Sequence, residues 1–526
     1  MRALWTRQNR FSPISSIPPE ILGAIFVHHA QQTQLLYEPD QPAFLSWLNV
    51  GHICRHWREV ALRTPELWAT PFLNFSEATE EMLLRSKMAP LNLRTGLRYC
   101  VVSVQSVLVH IERLQEVSLS FSNGDIRRCI MEFLDNVSSC SAPKLRSLSL
   151  KQEYAQTPQI AIPISFPAPN LRSLQIRNFD ISWTSSVLTG LTVLVIKKLS
   201  PECLPTLDEL ISALRRMPAL HTLELEDALP TLPPQTMSLP CTPRALNVQL
   251  PHLKRLLLVA KYLEVANMLA RVELPDSTML EVQLRCSASS SMNPDQEWNL
   301  SLPIISRALE SCFKATPAKS RRVPRTLRLF AVTHRMLVQY STVWNPSWVP
   351  DFFPDSQWTV VLDFHFPPEI SPAILSDLWR LVPFRDLEAL YIEVFFTCWD
   401  GFWTDFLGHG AAHNLANIYL QGTRELFEDL IISLRSQRHS LARSVVGCSQ
   451  KGQFFAPALS HLFLDSVEFD PSFSSFRRIS DFFDVLVDRA NEGRGLDRLT
   501  ITRCMGISAH DVRLLREVVA DLYWDE

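Results

Sequence analysis

The stretch Ser16-Ile17-Pro18-Pro19-Glu20-Ile21-Leu22-Gly23-Ala24-Ile25-Phe26 opens a run of short amphipathic segments. It continues in Leu48-Asn49-Val50-Gly51-His52-Ile53-Cys54-Arg55-His56-Trp57 and closes on Thr64-Pro65-Glu66-Leu67-Trp68. A proline at the first helical position loses no hydrogen bond, because its N–H would be unpaired there anyway. The double proline therefore predicts a helix start, with Glu20 in the first turn, where the helix dipole favours a carboxylate. Ile21, Leu22, Ile25 and Phe26 follow at helical spacing. A polar insert, Gln31 to Gln41, is expected to separate this helix from a second over about Phe44 to Leu62. Ile53, Trp57, Val60 and Ala61 would share one face of it, opposite Arg55, Arg58 and Glu59. Thr64 and Pro65 predict a fresh start, with Leu67 and Trp68 folding back as apolar plugs.

A unit of about 55 residues lies near the size at which a lone core becomes marginal. Each large aromatic covers on the order of 150–250 Å² when buried. Two apolar stripes and two tryptophans exceed what three short helices hide from one another. The excess faces either a separate subunit or the rest of the chain.

A second pattern recurs beyond residue 110, written Pro/Gly-x-Leu-x-x-Leu-x-Leu. It occurs at Pro143–Leu150, Pro169–Ile176, Leu191–Ile196, Pro218–Leu225 and Pro251–Leu258, then at Leu387–Ile392, Leu415–Leu420, Leu459–Leu464 and Leu496–Ile501. The first leucines from Leu145 to Leu253 are 26, 20, 29 and 33 positions apart. Between residues 259 and 384 the pattern fades, with Leu327-Arg328-Leu329 and Val360-Val361-Leu362 as decayed copies. Helical segments intervene at Leu207–Arg216, Leu426–Arg435 and Phe482–Ala490. Alternate residues of each short strand point to one side. No single unit covers its own apolar face, so the units must stack. Stretches rich in Pro and Ser (Pro230–Pro251, Ser287–Pro294 and Asn345–Pro372) read as insertions at one rim.

The chain has 526 residues, 46% of them hydrophobic and 20% charged, with a net charge of −3. That composition is globular. It offers no basic excess for phosphate neutralisation, so nucleic acid is not an expected partner. No apolar run reaches the roughly 18–20 residues that span a bilayer. Met1–Arg10 holds three arginines and no apolar core, unlike a secretory signal. Eleven cysteines occur singly, without a C-x-x-C pair, which predicts free thiols in a reducing compartment. A cytoplasmic or nuclear protein is expected, and the sequons at Asn74, Asn136 and Asn299 are chance matches.

Taken in order, Ile17-Pro18-Pro19-Glu20-Ile21-Leu22, Ile25-Phe26, Ile53-Cys54-Arg55-His56-Trp57, Ala61 and Leu67-Trp68 resemble the F-box. The resemblance covers about a tenth of the chain and is of the large fungal type. Two departures stand out: Ile17 replaces the usual Leu, and the insert between the helices is long. The resemblance implies an all-α module over 12–70 that docks on the Skp adaptor of a cullin-based ubiquitin ligase. It assigns the adaptor contact to Pro18, Ile21, Leu22, Ile25, Phe26, Ile53, Cys54 and Trp57. The recurring leucine unit resembles the irregular leucine-rich repeats that often follow an F-box. An α/β right-handed solenoid over 111–526 is thus expected, with 71–110 as connector and cap.

Motifs for chemistry are missing from the sequence. There is no phosphate-cradling glycine loop and no G-x-S-x-G elbow. His409 and His413 are four apart without the following Glu of a zinc helix, and read as loop. His28-His29 would end the first helix. Asp481 and Asp484 sit at a helix start. Trp399, Phe402 and Trp403, beside Asp400 and Asp405, form an aromatic patch that is either core or a partner anchor. No catalytic residue, cofactor or metal is expected. The resemblance implies a non-catalytic subunit that recruits a target protein to a Skp–cullin–F-box ligase. The alternative is a leucine-rich scaffold whose first helices cap the solenoid.

Overall fold

The computed structural model describes residues 13–39, 41–96, 98–121, 124–139, 141–153, 159–162, 164–232, 247–275, 277–285, 299–307, 325–332, 335–342, 358–365, 387–395, 403, 413–435, 456–469 and 479–525. Outside them lie most of the three expected insertions, the His409 end of the His409/His413 pair, and Trp399, Asp400, Phe402 and Asp405. The described residues fall into two compact units divided between Pro230 and Thr231.

The first unit begins with helices. α1 is Pro19–Leu36, started by Pro18 and Pro19 as the sequence predicts. It does not stop at Gln31. The polar segment Gln31-Gln32-Thr33-Gln34 stays helical because Thr33 and Gln34 are buried and the Arg94 guanidinium donates to the Gln34 carbonyl at 2.8 Å. His28 and His29 are consequently interior to the helix and far from its C-terminal carbonyls. The second expected helix is three pieces: a 3-10 segment Pro42–Asn49, α2 over Val50–Ile53 and α3 over Arg55–Arg63. The break falls at Cys54, which is fully extended (φ −157°, ψ 170°). A 3-10 turn, Pro65–Trp68, follows, then α4 (Ser76–Ser86). Thr64 precedes that turn but does not cap it with its side chain; its hydroxyl donates back to the Val60 carbonyl at 2.9 Å.

The strands and helices that follow are β1 (Leu91–Arg94), α5 (Val101–Leu108), β2 (Leu114–Phe121), α6 (Gly124–Ser139), β3 (Ser147–Gln152), β4 (Ile160–Ile162), β5 (Ser173–Arg177), β6 (Phe179–Ile181), β7 (Val193–Lys197), α7 (Leu207–Arg215) and β8 (Thr222–Glu226). Here β1, β2, β3, β5, β7 and β8 lie side by side, each parallel to the next. The leucine unit explains the register. Val117, Leu148, Leu174, Leu194 and Leu223 align across five strands, and Leu119, Leu150, Ile176, Ile196 and Leu225 form the next row. All ten are at most 1% exposed. α7 starts at a reciprocal capping box between Thr206 and Glu209.

The second unit holds β9 (Val248–Gln249), β10 (Arg255–Lys261), α8 (Tyr262–Leu269), β11 (Val272–Glu273), β12 (Met279–Arg285), β13 (Thr326–Val332), β14 (Arg335–Ser341), β15 (Val360–His365), β16 (Ala389–Val394), β17 (Asn417–Gly422), α9 (Arg424–Leu434), β18 (His461–Asp465), α10 (Ile479–Asn491), β19 (Arg498–Thr502), α11 (Ala509–Val518) and β20 (Asp521–Trp524). The strand order is β10-β12-β15-β14-β13-β16-β17-β18-β19-β20, open rather than closed into a barrel. Every neighbouring pair is parallel except β13–β14 and β14–β15. The stretch in which the leucine pattern fades therefore contains an antiparallel excursion. Leu327, Leu329, Val360 and Leu362 are strand residues at most 1% exposed. Leu327, Leu390, Ile418, Leu462 and Leu499 again line up as one buried row.

A backbone corner recurs that the side-chain pattern does not reveal. The residue just after β5, β7, β8, β18 and β19 is left-handed: Asn178, Lys198, Asp227, Ser466 and Arg503, with φ of 48° to 61°. At three of these the amide donates to the last carbonyl of the neighbouring strand: Asn178 to Lys197, Lys198 to Glu226 and Ser466 to Thr502. A left-handed residue costs a non-glycine about 1–2 kcal/mol, so the repeated bond offsets a repeated strain.

Candidate functional site

The helical module has a core of its own. Leu22, Phe26, Ala30, Trp47, Val50, Val60, Ala61, Leu67, Trp68 and Met82 form one buried cluster, with Ile17, Val27, Leu48, Trp57 and Phe72 against it. Phe26 meets the Trp57 ring at 5.0 Å. Trp68 packs edge-on to Trp47 at 5.5 Å, and its indole N–H donates to the Ala61 carbonyl at 2.9 Å. The Arg85 guanidinium lies 4.4 Å over the Trp68 ring, a cation–π contact. Gly23 permits the close approach of α1 to the end of α3, since a Cβ there would stand 2.8 Å from the Thr64 hydroxyl.

Cys54 shapes the entry into α3. Its extended backbone turns the chain, and its sulfur accepts from the Trp57 amide at 3.5 Å, taking the place of the usual Ser or Thr cap. Trp57 is thereby fixed one turn into α3, half-buried against Phe26.

The eight candidate contact residues divide by exposure. Leu22 is fully buried and Phe26 is 1% exposed, so both hold the module together from inside. Ile21 is 54% exposed, Ile25 48% and Ile53 60%. Pro18 is exposed, and Cys54 and Trp57 are half-buried. Ile21 and Ile25, one helical turn apart, leave an accessible apolar ridge on α1.

The second unit carries a cluster that sequence reasoning did not single out. On the strand face opposite the leucine rows, Tyr391, Tyr419 and Phe463 align across β16, β17 and β18, with ring separations of 5.9 and 4.8 Å. Two residues further along the same face, Glu393 receives both Nε and Nη2 of Arg328, at 2.9 and 3.1 Å. Asp465 accepts from the Tyr419 hydroxyl at 2.8 Å, from Thr502 at 3.0 Å and from two nitrogens of Arg503. Burial, together with that carboxylate, pushes the Tyr419 phenol far up. Burial pushes Tyr391 up to about 12. The alternation of Tyr391 with Ile392 in β16 is the signal that places these rings on the opposite face.

Among the described residues no group of three His, Cys, Asp or Glu is placed to hold a metal ion. No described helix is long and apolar enough to cross a membrane. A pocket of about 130 Å³ lies between Trp47, His52, Arg58, Leu62, Trp68 and Arg85. Small-molecule sites run from about 300 to 1,000 Å³. Trp403 is buried, donating its indole N–H to the Leu426 carbonyl at 3.0 Å, so this member of the aromatic patch is core. Asp481 lies in the first turn of α10 and pairs with Arg435 at 2.7 Å.

Residues 14–74 match the F-box-like family, and the chain carries an F-box-like domain there. No curated protein matches the chain. F-box domains generally bind Skp-type adaptors and occur in non-catalytic subunits, so this domain points in general to an adaptor role in ubiquitin ligation.

Proposed function

We propose that the protein is the target-recruiting subunit of a Skp–cullin–F-box ubiquitin ligase in the cytoplasm or nucleus. The observation that carries this reading is the bare ridge of Ile21 and Ile25 within the F-box-like match, 54% and 48% exposed above a well-packed core. An apolar ridge kept out of its own core is suited to a partner. In this reading residues 12–70 dock on the adaptor, 71–110 connect and cap, and 111–526 form a right-handed solenoid of irregular leucine-rich repeats, as in large fungal F-box proteins. The in-register leucine rows, parallel strands and recurrent left-handed corners support the solenoid. The subunit performs no bond chemistry. It raises the local concentration of a bound target near the ubiquitin-conjugating enzyme, and tethering of this kind reaches millimolar levels.

The test is a pull-down of purified Skp-type adaptor and cullin on the full chain. Wild type should retain both. Ile21→Asp with Ile25→Asp should abolish retention with the thermal midpoint lowered by no more than a few degrees, because about half of each side chain already faces solvent. Leu22→Asp is unsuitable, since it buries a charge in the core. Failure of wild type to retain the adaptor would remove the ligase role and leave an interaction scaffold.

A further inference from the structure

α1 runs past the F-box-like pairing of Ile25-Phe26 by ten residues, to Leu36. With 100° per residue, Ile21, Ile25, His28, Gln32, Leu35 and Leu36 fall within one arc of about 100°. All six are exposed. Leu22, Phe26, Ala30 and Thr33 occupy the opposite, buried arc. The exposed arc is apolar at both ends: Leu35 and Leu36 are 73% and 74% exposed, and Tyr37 just beyond is 40% exposed. A solvated helix face ordinarily carries charge. Here the 18 residues of α1 include one acid, Glu20, and no lysine or arginine. The far end is also held rigid. Gln34 and Thr33 are buried, Arg94 clamps the Gln34 carbonyl, and the Tyr37 amide closes the last turn on the Thr33 carbonyl at 3.1 Å.

From these observations we infer that the adaptor contact of this chain is extended: the same Skp-type subunit that covers Ile21 and Ile25 continues along α1 over Gln32, Leu35 and Leu36. This rests on the adaptor reading above. Ile21 and Leu36 are fifteen residues apart, about 22 Å along the axis, within reach of a single apolar helix of the partner. The occupant is the adaptor because both apolar patches lie on one face of one helix, separated only by His28 and Gln32 and with no Lys, Arg, Asp or Glu between them. A separate partner would have to end where the adaptor begins.

Affinity of the full chain for purified Skp-type adaptor is the measurement, by calorimetry at several salt concentrations. Leu35→Gln with Leu36→Gln, neutral helix formers that do not oppose the helix dipole in the last turn of α1, should weaken binding about 10- to 100-fold, leave the thermal midpoint unchanged and leave the residual contact sensitive to Ile25→Asp. The loss should persist at high salt, since it comes from apolar burial. Unchanged adaptor affinity in the Leu35/Leu36 variant, with wild type binding, overturns the extension while sparing the ligase reading. A wild type that binds no adaptor overturns both. A self-associating wild type that becomes monomeric in the variant, with adaptor affinity unchanged, assigns the patch to a second copy and also overturns the inference.

Discussion

Asp465 closes β18 with its carboxylate 1% exposed, although a charged oxygen in that position costs several kcal/mol unless it is fully bonded. Burial pushes its carboxyl up. The bonds from Arg503, Tyr419 and Thr502 outweigh that, and the net direction is down. A carboxylate depressed on folding stabilises above its unfolded value of about 3.9 and loses that contribution as pH falls through the lower folded value. Asp465→Ala should therefore cost about 1–3 kcal/mol near neutral pH and less below about pH 3, read from denaturant midpoints across that range. An equal penalty at both pH values would mean the carboxylate charge is not what the site uses. Residue identity alone showed which side chains of the opening motif are apolar, and it placed Ile21, Leu22, Ile25 and Phe26 on one helix. It did not separate the buried pair from the exposed pair. That division depends on where α3 and the Leu67-Trp68 plug pack, which is a tertiary fact.

At the scale of elements, the start of α1, the helices at 207, 424 and 479 and the strands holding each leucine unit were legible from proline position and apolar period. Two features were not. Cys54 breaks a stretch whose periodicity reads as one helix, because an extended residue with a thiol cap leaves the apolar spacing intact. β14 runs antiparallel in a region where leucine spacing fades, and strand direction has no period of its own. The join of β17 to α9 shows how tightly neighbouring elements meet. A Cβ on Gly422 would stand 2.5 Å from the Val394 carbonyl of β16, which already accepts from the Thr423 amide at 3.2 Å. Gly422→Ala should force the two strands apart and cost about 1–3 kcal/mol, measurable as a lowered thermal midpoint. A neutral result would show that the end of β17 shifts freely.

For the molecule as a whole, the buried leucine rows link strands only to their neighbours. Stability of such an array is close to a sum of local and nearest-neighbour terms. Leu194, fully buried on β7, pairs with Leu174 of β5 and Leu223 of β8. Leu194→Ala should cost about 2–5 kcal/mol. Hydrogen exchange should quicken first in residues 173–177 and 222–226, and later in 91–94; uniform quickening would describe one indivisible core instead. The hairpin β13–β14 breaks the simple order within the second unit. β13 lies three places from β12, and β15 and β14 fill the gap between them. A polypeptide emerging residue by residue from the ribosome thus cannot lengthen this sheet by adding each new strand to the last. The edge at β12 stays open until His365 has been synthesised. Translation through some eighty codons leaves it exposed, at roughly 5–20 residues per second, a window of several seconds in which a chaperone has cause to act.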